Sequence, residues 1–183
     1  MNANLASIGL HEPWVSPCRD HASFLGYLAR CDGERSIGFI ARERESGRIV
    51  GVVNLSEIVR GYFQSAYMGY YGMAGMNGRG LMKEAVSLVV THAFHDLRLH
   101  RVEANIQPAN QPSRALIQRL GFRQEGFSPR YLKINGEWRD HERWAVLADE
   151  WKGRCWRTSG KGDELQATEP SFFCRKKRLN PGG

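Results

Sequence analysis

Gly75-Met76-Asn77-Gly78-Arg79-Gly80-Leu81-Met82 joins an extended stretch to a helical one. Before it, Ala66 to Met73 is rich in Tyr and reads as a strand. After it, Leu81 to Leu97 sets Leu81, Ala85, Leu88, Val89 and Ala93 on one side of a long helix. Glycines let a backbone reach positive φ and come close to a ligand. The first amides of a helix lack internal partners, and the helix dipole makes the space beyond them attractive to anions. A phosphate or diphosphate is the expected occupant. A Walker loop would need Lys-Ser/Thr where this chain has Leu81-Met82. The dinucleotide fingerprint would need a third glycine, and Gly78-Arg79-Gly80 is followed by Leu81, Met82 and Lys83. Taken alone, the loop is equally readable as a tight strand-to-helix connection.

Working outward, residues 1–20 read as irregular, with Pro13 and Pro17 either side of Trp14, and residues 21–31 have helical spacing. Ile37 to Glu43 and Arg48 to Leu55 form a hairpin about Glu45-Ser46-Gly47, and Ser56 to Phe63 reads as a connection. Arg101 to Ile106 is a strand. Ser113 to Leu120 is a short helix with Asn110 as a candidate N-cap and Gly121 as its left-handed cap. Phe122 to Ile134 is extended, Asn135-Gly136 is a two-residue hairpin turn, and Glu137 to Leu147 is the last strand. The pattern gives an α+β (mixed α/β) fold, a sheet with helices on its faces.

The chain has 183 residues, 42% hydrophobic and 25% charged, which excludes bulk disorder. Apolar runs such as Leu88-Val89-Val90 are far too short to span a bilayer, and Met1 to Leu10 has no basic-then-apolar signal pattern, so a cytoplasmic location and no membrane partner are expected. Cys18, Cys31, Cys155 and Cys174 have no close-spaced pair, which gives reduced thiols and no metal. His92, His95 and His100 lack a placed set of further ligands. The net charge of +7 divides unevenly: residues 152–183 hold eight Lys or Arg against three acids. Residues 1–151 therefore read as one domain and 152–183 as a basic flexible tail, whose Arg175-Lys176-Lys177-Arg178 is the one candidate contact for nucleic acid.

With Asn110-Gln111-Pro112-Ser113 and Leu120-Gly121-Phe122 added to the glycine loop, the chain resembles the GNAT acetyltransferase superfamily. Val59-Arg60-Gly61, Tyr67-x-Gly69-Tyr70, His100-Arg101, Glu125-Gly126 and Trp138-Arg139-Asp140-His141 are similar to its ribosomal-protein-alanine N-acetyltransferases of the RimJ/RimL type, over about residues 10–151. The resemblance implies a central, mostly antiparallel sheet splayed between two strands, with helices on both faces. In two places the chain departs from the family: Gly75 stands where the loop usually opens with Gln, Arg or Lys, and the family's first strand is not found, which reads either as a loss that the fold tolerates, leaving an unpaired sheet edge, or as an incomplete start of the sequence.

The resemblance further implies acetyl-CoA as donor and a primary amine as acceptor in a direct-transfer ternary complex. Gly75, Met76, Asn77, Gly78, Arg79, Gly80 and Leu81 would hold the diphosphate, with help from Lys83. Pantetheine would run along Tyr71, Gly72 and Met73, where a backbone N–H could steady the developing oxyanion, worth about 3 kcal/mol. Asn110 and Ser113 would sit beside pantetheine and sulfur, with Ser113 the candidate to protonate the leaving thiolate. The amine must lose a proton to a base, or to a water chain that reaches one. Glu103, which shares a strand face with Asn105, is a candidate base, with an Arg-paired structural carboxylate as the other reading. Tyr131 is a candidate acid or substrate contact, or a packing residue. Asp140 and His141 are open to a substrate contact or to hairpin structure.

The acceptor follows from the resemblance as the N-terminal α-amino group of a protein with an Ala or Ser start, such as a ribosomal protein. Acetylation of a small amine (an antibiotic or a polyamine) is the alternative within the same chemistry. A non-catalytic ribosome- or RNA-associated protein using its basic tail is the alternative from another class. Monomer and dimer are both open.

Overall fold

The computed structural model describes residues 1–152, so the expected tail lies outside the described residues apart from Lys152. Helices α1 (Asn2–Leu5), α2 (Ile8–His11) and α3 (His21–Arg30) precede β1 (Ile37–Arg42), β2 (Ile49–Val59) and β3 (Ser65–Gly72). Helix α4 (Leu81–His95), β4 (Arg101–Ile106), α5 (Gln111–Arg119), β5 (Arg123–Ile134) and β6 (Glu137–Leu147) follow. The six strands form one mixed sheet in the order β1-β2-β3-β4-β6-β5.

All neighbours are antiparallel except β3 and β4, which run parallel and pair only at Ser65–Arg101, Ala66–Val102 and Tyr67–Glu103. Beyond Tyr67 the two strands part, and this is the expected splay. Main-chain polarity inside the gap follows from strand alternation. The Gln64 carbonyl accepts from His100 and Arg101, whereas the Met73 N–H donates to the Val50 carbonyl on the other side. The peptide groups of Met68, Tyr70 and Gly72 therefore face the gap from β3, and those of Glu103 and Asn105 face it from β4.

Side chains divide the sheet in the same way. Val53, Leu55, Ala66, Met68, Val102, Ala104, Ile106, Trp144 and Val146 meet Val86, Val90, Ala93 and Phe94 of α4 and Ile117 of α5 in the main core. Burying each large aliphatic side chain there contributes about 1.5–3 kcal/mol. The opposite face takes α1 to α3. The Tyr27 hydroxyl lies over Gly38, where a Cβ would come within 2.0 Å of it, and donates to Asn54 Oδ1 at 2.7 Å. Helix α3 begins with a capping box: the Asp20 carboxylate accepts from the Ser23 N–H while the Ser23 hydroxyl takes the Asp20 N–H.

Four expectations need correction. Residues 1–20 are not wholly irregular, because Ser7 and His11 are buried against β3 and hold two single helical turns in place. Strand β2 runs on to Val59 instead of ending at Leu55; a bulge at Ser56–Val59, with Glu57 at φ 47°, breaks the alternation that marks a strand. The α5 helix starts at Gln111, ahead of Ser113. Leu88 lies outside the core and is 57% exposed; it lines an open trough over the outer edge of β1, between α3 and α4, with Phe24, Leu28 and Ile40. The edge strand at its floor, β1, lies two strands away from the β3–β4 gap.

Candidate active site

The glycine loop begins where β3 ends. Gly75, Gly78 and Gly80 take φ of 76°, 75° and 77°, values that a side chain resists. Gly80 is the left-handed N-cap of α4 and offers no capping side chain. The amides of Gly78, Gly80, Leu81, Met82 and Lys83 find no acceptor among the described residues. Nothing lies within 4 Å of a Cβ built on Gly78 or Gly80, so the space beside these two residues is open. Free donors, a helix N-terminus and open space together fit an anionic diphosphate.

Three contacts fix this cradle. The Ala74 N–H donates to Ser7 Oγ at 2.9 Å, and Ser7 Oγ donates to the Ala3 carbonyl. His11 Nε2 donates to the Gly72 carbonyl at 2.8 Å, which leaves the Gly72 N–H as the donor that this residue offers the gap. Gly51 lets α4 sit close to the sheet, since a Cβ there would come within 2.3 Å of Met82 Sδ. The Arg79 side chain turns away to pair with Glu43 at the end of the β1–β2 hairpin, leaving its main chain in the loop. Arg48, unnoticed in the sequence, places Nη2 3.5 Å from where a Gly75 Cβ would stand. A cation is thus present beside the loop although position 75 carries no side chain.

Across the gap, Asn110 caps α5 by accepting from the Ser113 N–H at 3.2 Å. The Tyr70 hydroxyl donates to the Ser113 carbonyl at 3.2 Å, tying the first turn of α5 to β3. Burial pushes the Tyr70 phenol up, so it stays a donor. Glu142, buried, accepts from Arg114 Nε at 2.9 Å and Trp144 Nε1 at 3.1 Å and anchors the same turn to β6. Sequence reading gave Glu142 no role; a carboxylate beside Trp144 in an apolar strand was its only signal. Ser113 Oγ makes no hydrogen bond among the described residues.

The face opposite α4 holds the remaining candidates. Glu103 accepts from Arg101 Nε at 2.9 Å, and Arg101 also pairs with Glu125, so Glu103 sits in an ion-pair network. Tyr67 and Tyr131 bring their hydroxyls to 3.5 Å. That contact and partial burial push Tyr67 up to about 12, so its phenol is protonated near neutral pH. His141 is buried edge-on to Tyr131 and donates from Nδ1 to the Arg139 carbonyl; burial holds its imidazole below the ordinary value. Asp140 accepts from the Arg130 N–H at 2.7 Å in the β5–β6 ribbon. Gly69, between Tyr67 and Tyr71, has no atom within 4 Å of a built Cβ and leaves a slot on this face.

Known proteins share this fold. Residues 4–123 match the family model described as acetyltransferase (GNAT) domain. A probable N-acetyltransferase of Bacillus subtilis is 40% identical over 121 residues, 66% of this chain and 67% of that protein. The ribosomal protein uS5-alanine N-acetyltransferase of Escherichia coli is 41% identical over 103 residues, 56% of this chain and 53% of the enzyme, so the match spans about half of that relative. Among solved structures, Mycobacterium smegmatis RimJ in complex with CoA-disulfide superposes with a TM-score of 0.71 at 32% identity, over 81% of this chain and 76% of that one. The Vibrio fischeri ribosomal-protein-S5-alanine acetyltransferase gives 0.71 at 30% identity, over 82% and 87%. An amide cradle at the mouth of a splayed sheet, a family model covering well over half of the residues and these relatives lead to one conclusion: the chain belongs to the GNAT acetyltransferase family and is an acetyltransferase.

Proposed function

We propose that the chain moves an acetyl group from acetyl-CoA to the N-terminal α-amino group of a protein, ribosomal-protein-like and starting with Ala or Ser, by direct attack in a ternary complex. The single observation that carries the donor half is the row of unpartnered amides at Gly78 and Gly80–Lys83 facing open space. The acceptor half is supported by the 41% identity to the Escherichia coli uS5-alanine enzyme.

Acetyl-CoA supplies an activated thioester. The loop from Gly75 to Leu81 binds its diphosphate through main-chain donors and the α4 dipole, with Arg48 adding a positive charge. Pantetheine lies along the gap-facing edge of β3, where Met68, Tyr70 and Gly72 offer peptide groups to it. The Gly72 N–H donates to the thioester oxygen as negative charge develops there. The α-amine enters past Tyr67, Gly69 and Tyr131 and forms a bond to the acetyl carbon while the carbon–sulfur bond breaks. Ser113 Oγ, held at the α5 N-terminus, gives a proton to the leaving sulfur and takes one back from water. The α-amine titrates near 8 and is partly neutral under working conditions, so water in the slot can carry off the proton lost from nitrogen. Glu103, fixed by Arg101, shapes the field of the slot.

Purified full chain, acetyl-CoA and Ala- or Ser-starting peptides, followed by thiol release, test this reading. Acetylated peptide N-termini are the expected product. Acetylation of polyamines or antibiotics with no peptide turnover would replace the acceptor half.

A further inference from the structure

Among the described residues, one buried side-chain polar atom lacks a hydrogen-bond partner: Asn105 Oδ1. A carbonyl oxygen stripped of water and left without a donor costs about 1–3 kcal/mol. Such an orphan calls for an explanation. Its position supplies one. Asn105 is two residues past the last β3–β4 pair, Tyr67–Glu103, so it stands where the sheet has opened. Its neighbours Ala104 and Ile106 are buried in the α4–α5 core, which puts the Asn105 side chain on the opposite face, with Tyr67 and the empty slot before Gly69. Its register partner on β6 is Arg143, whose guanidinium lies over Gly126, where a Cβ would come within 2.4 Å of Nη2.

The carboxamide is free at both ends. Asn105 Nδ2 makes no hydrogen bond among the described residues either, and unlike Oδ1 it is not fully buried. The amide thus stands with its oxygen in the protein and its nitrogen toward the opening. A half-turn about χ2, a broad two-fold torsion, exchanges the two.

We propose that Asn105 is the acceptor-binding residue: its Oδ1 accepts an N–H of the incoming primary amine and aims the nitrogen lone pair across the gap. This assignment rests on the acetyl-transfer reading and names the group that receives the amine. An amide is not a base, so Asn105 takes no proton; it orients the nucleophile. Arg143 next to it favours the neutral amine over the ammonium. A neutral primary amine has two N–H groups, one for Asn105 and one for water, and its lone pair stays free for attack. A tertiary amine has none, so the slot takes only amines that carry an N–H.

The test compares the full-length wild type with Asn105→Leu, which removes the oxygen at similar volume, and Asn105→Asp, which keeps an accepting oxygen. The amine KM and kcat come from thiol release, and the acetyl-CoA Kd from calorimetry. Asn105→Leu is expected to raise the amine KM about tenfold, as for loss of one buried hydrogen bond. It should leave the acetyl-CoA Kd within about twofold and the melting temperature at or above wild type, because an orphan has been removed. Asn105→Asp should bring the amine KM back toward wild type. Should Asn105→Leu not fold, Asn105→Ala is read in the same way. An unmoved amine KM, or an acetyl-CoA Kd that rises as far as the amine KM, overturns the assignment. If the wild type acetylates small amines but no peptide, the protein-acceptor reading falls and the same comparison, run on that small amine, still decides Asn105. If it acetylates no primary amine, both fall.

Discussion

The two sides of the β3–β4 gap are built from different materials. On the donor side, the main-chain groups from Gly72 to Lys83 that we propose hold acetyl-CoA are consecutive in sequence. On the acceptor side, Tyr67, Glu103, Asn105, Tyr131 and His141 come from four strands and meet only through register. A main-chain cradle tolerates exchange of its side chains as long as its glycines keep their positive φ. A side-chain slot is lost if one strand slips by a residue, because every side chain then changes face.

That contrast can be broken most strongly at Gly78. Gly78→Asp forces a side chain onto φ 75° and sets a carboxylate where a diphosphate is expected; acetyl-CoA affinity by calorimetry should fall about 100-fold or more. Gly78→Ala carries the strain without the charge and should lose less. Equal losses would mean that loop shape matters and anion binding does not. Next in size is Ser113→Ala, expected to lower kcat about 100-fold, the range of a general-acid contribution, with a small change in acetyl-CoA Kd. Equal loss in both would make the hydroxyl a donor contact only.

Arg48→Ala sharpens the comparison on the donor side. An exposed guanidinium near a diphosphate contributes about 0.5–1 kcal/mol, so acetyl-CoA should bind about two- to fivefold more weakly, with a shallower salt dependence. An unchanged salt response would remove Arg48 from the cradle. The smallest expected effect lies in His141. Burial holds its folded pKa below the ordinary 6.5, so the unfolded chain takes up the proton first as pH falls. Its share of stability is complete above about 6.5 and declines as pH drops from there toward the folded value. His141→Gln should flatten that part of the melting-temperature profile; a profile identical to wild type would show that His141 is not the group involved.

Legibility in the sequence followed the same division. Arg101–Ile106 and Glu137–Leu147 lie where their patterns put them, and Asn135-Gly136 turns with φ of 51° and 85°. Local chemistry determined these elements. The loop, its helix and the Asn110 cap were readable for the same reason. Residues whose state depends on distant neighbours were not. The bulge at Glu57 hid the end of β2, and Ser7 and His11 fold into helical turns only because β3 receives them. Leu88 has core periodicity, but the trough beside β1 leaves it uncovered. Arg48 and Asn105 carry no motif, since one is defined by the hairpin end that brings it to Gly75 and the other by the point where two strands part.

A crystal structure of the full chain with acetyl-CoA tests the central claim most directly. The account predicts diphosphate oxygens within about 3.2 Å of the Gly78, Gly80 and Leu81 amides, with the thioester between β3 and β4. A diphosphate bound in the trough over β1, with these amides still bare, would contradict it.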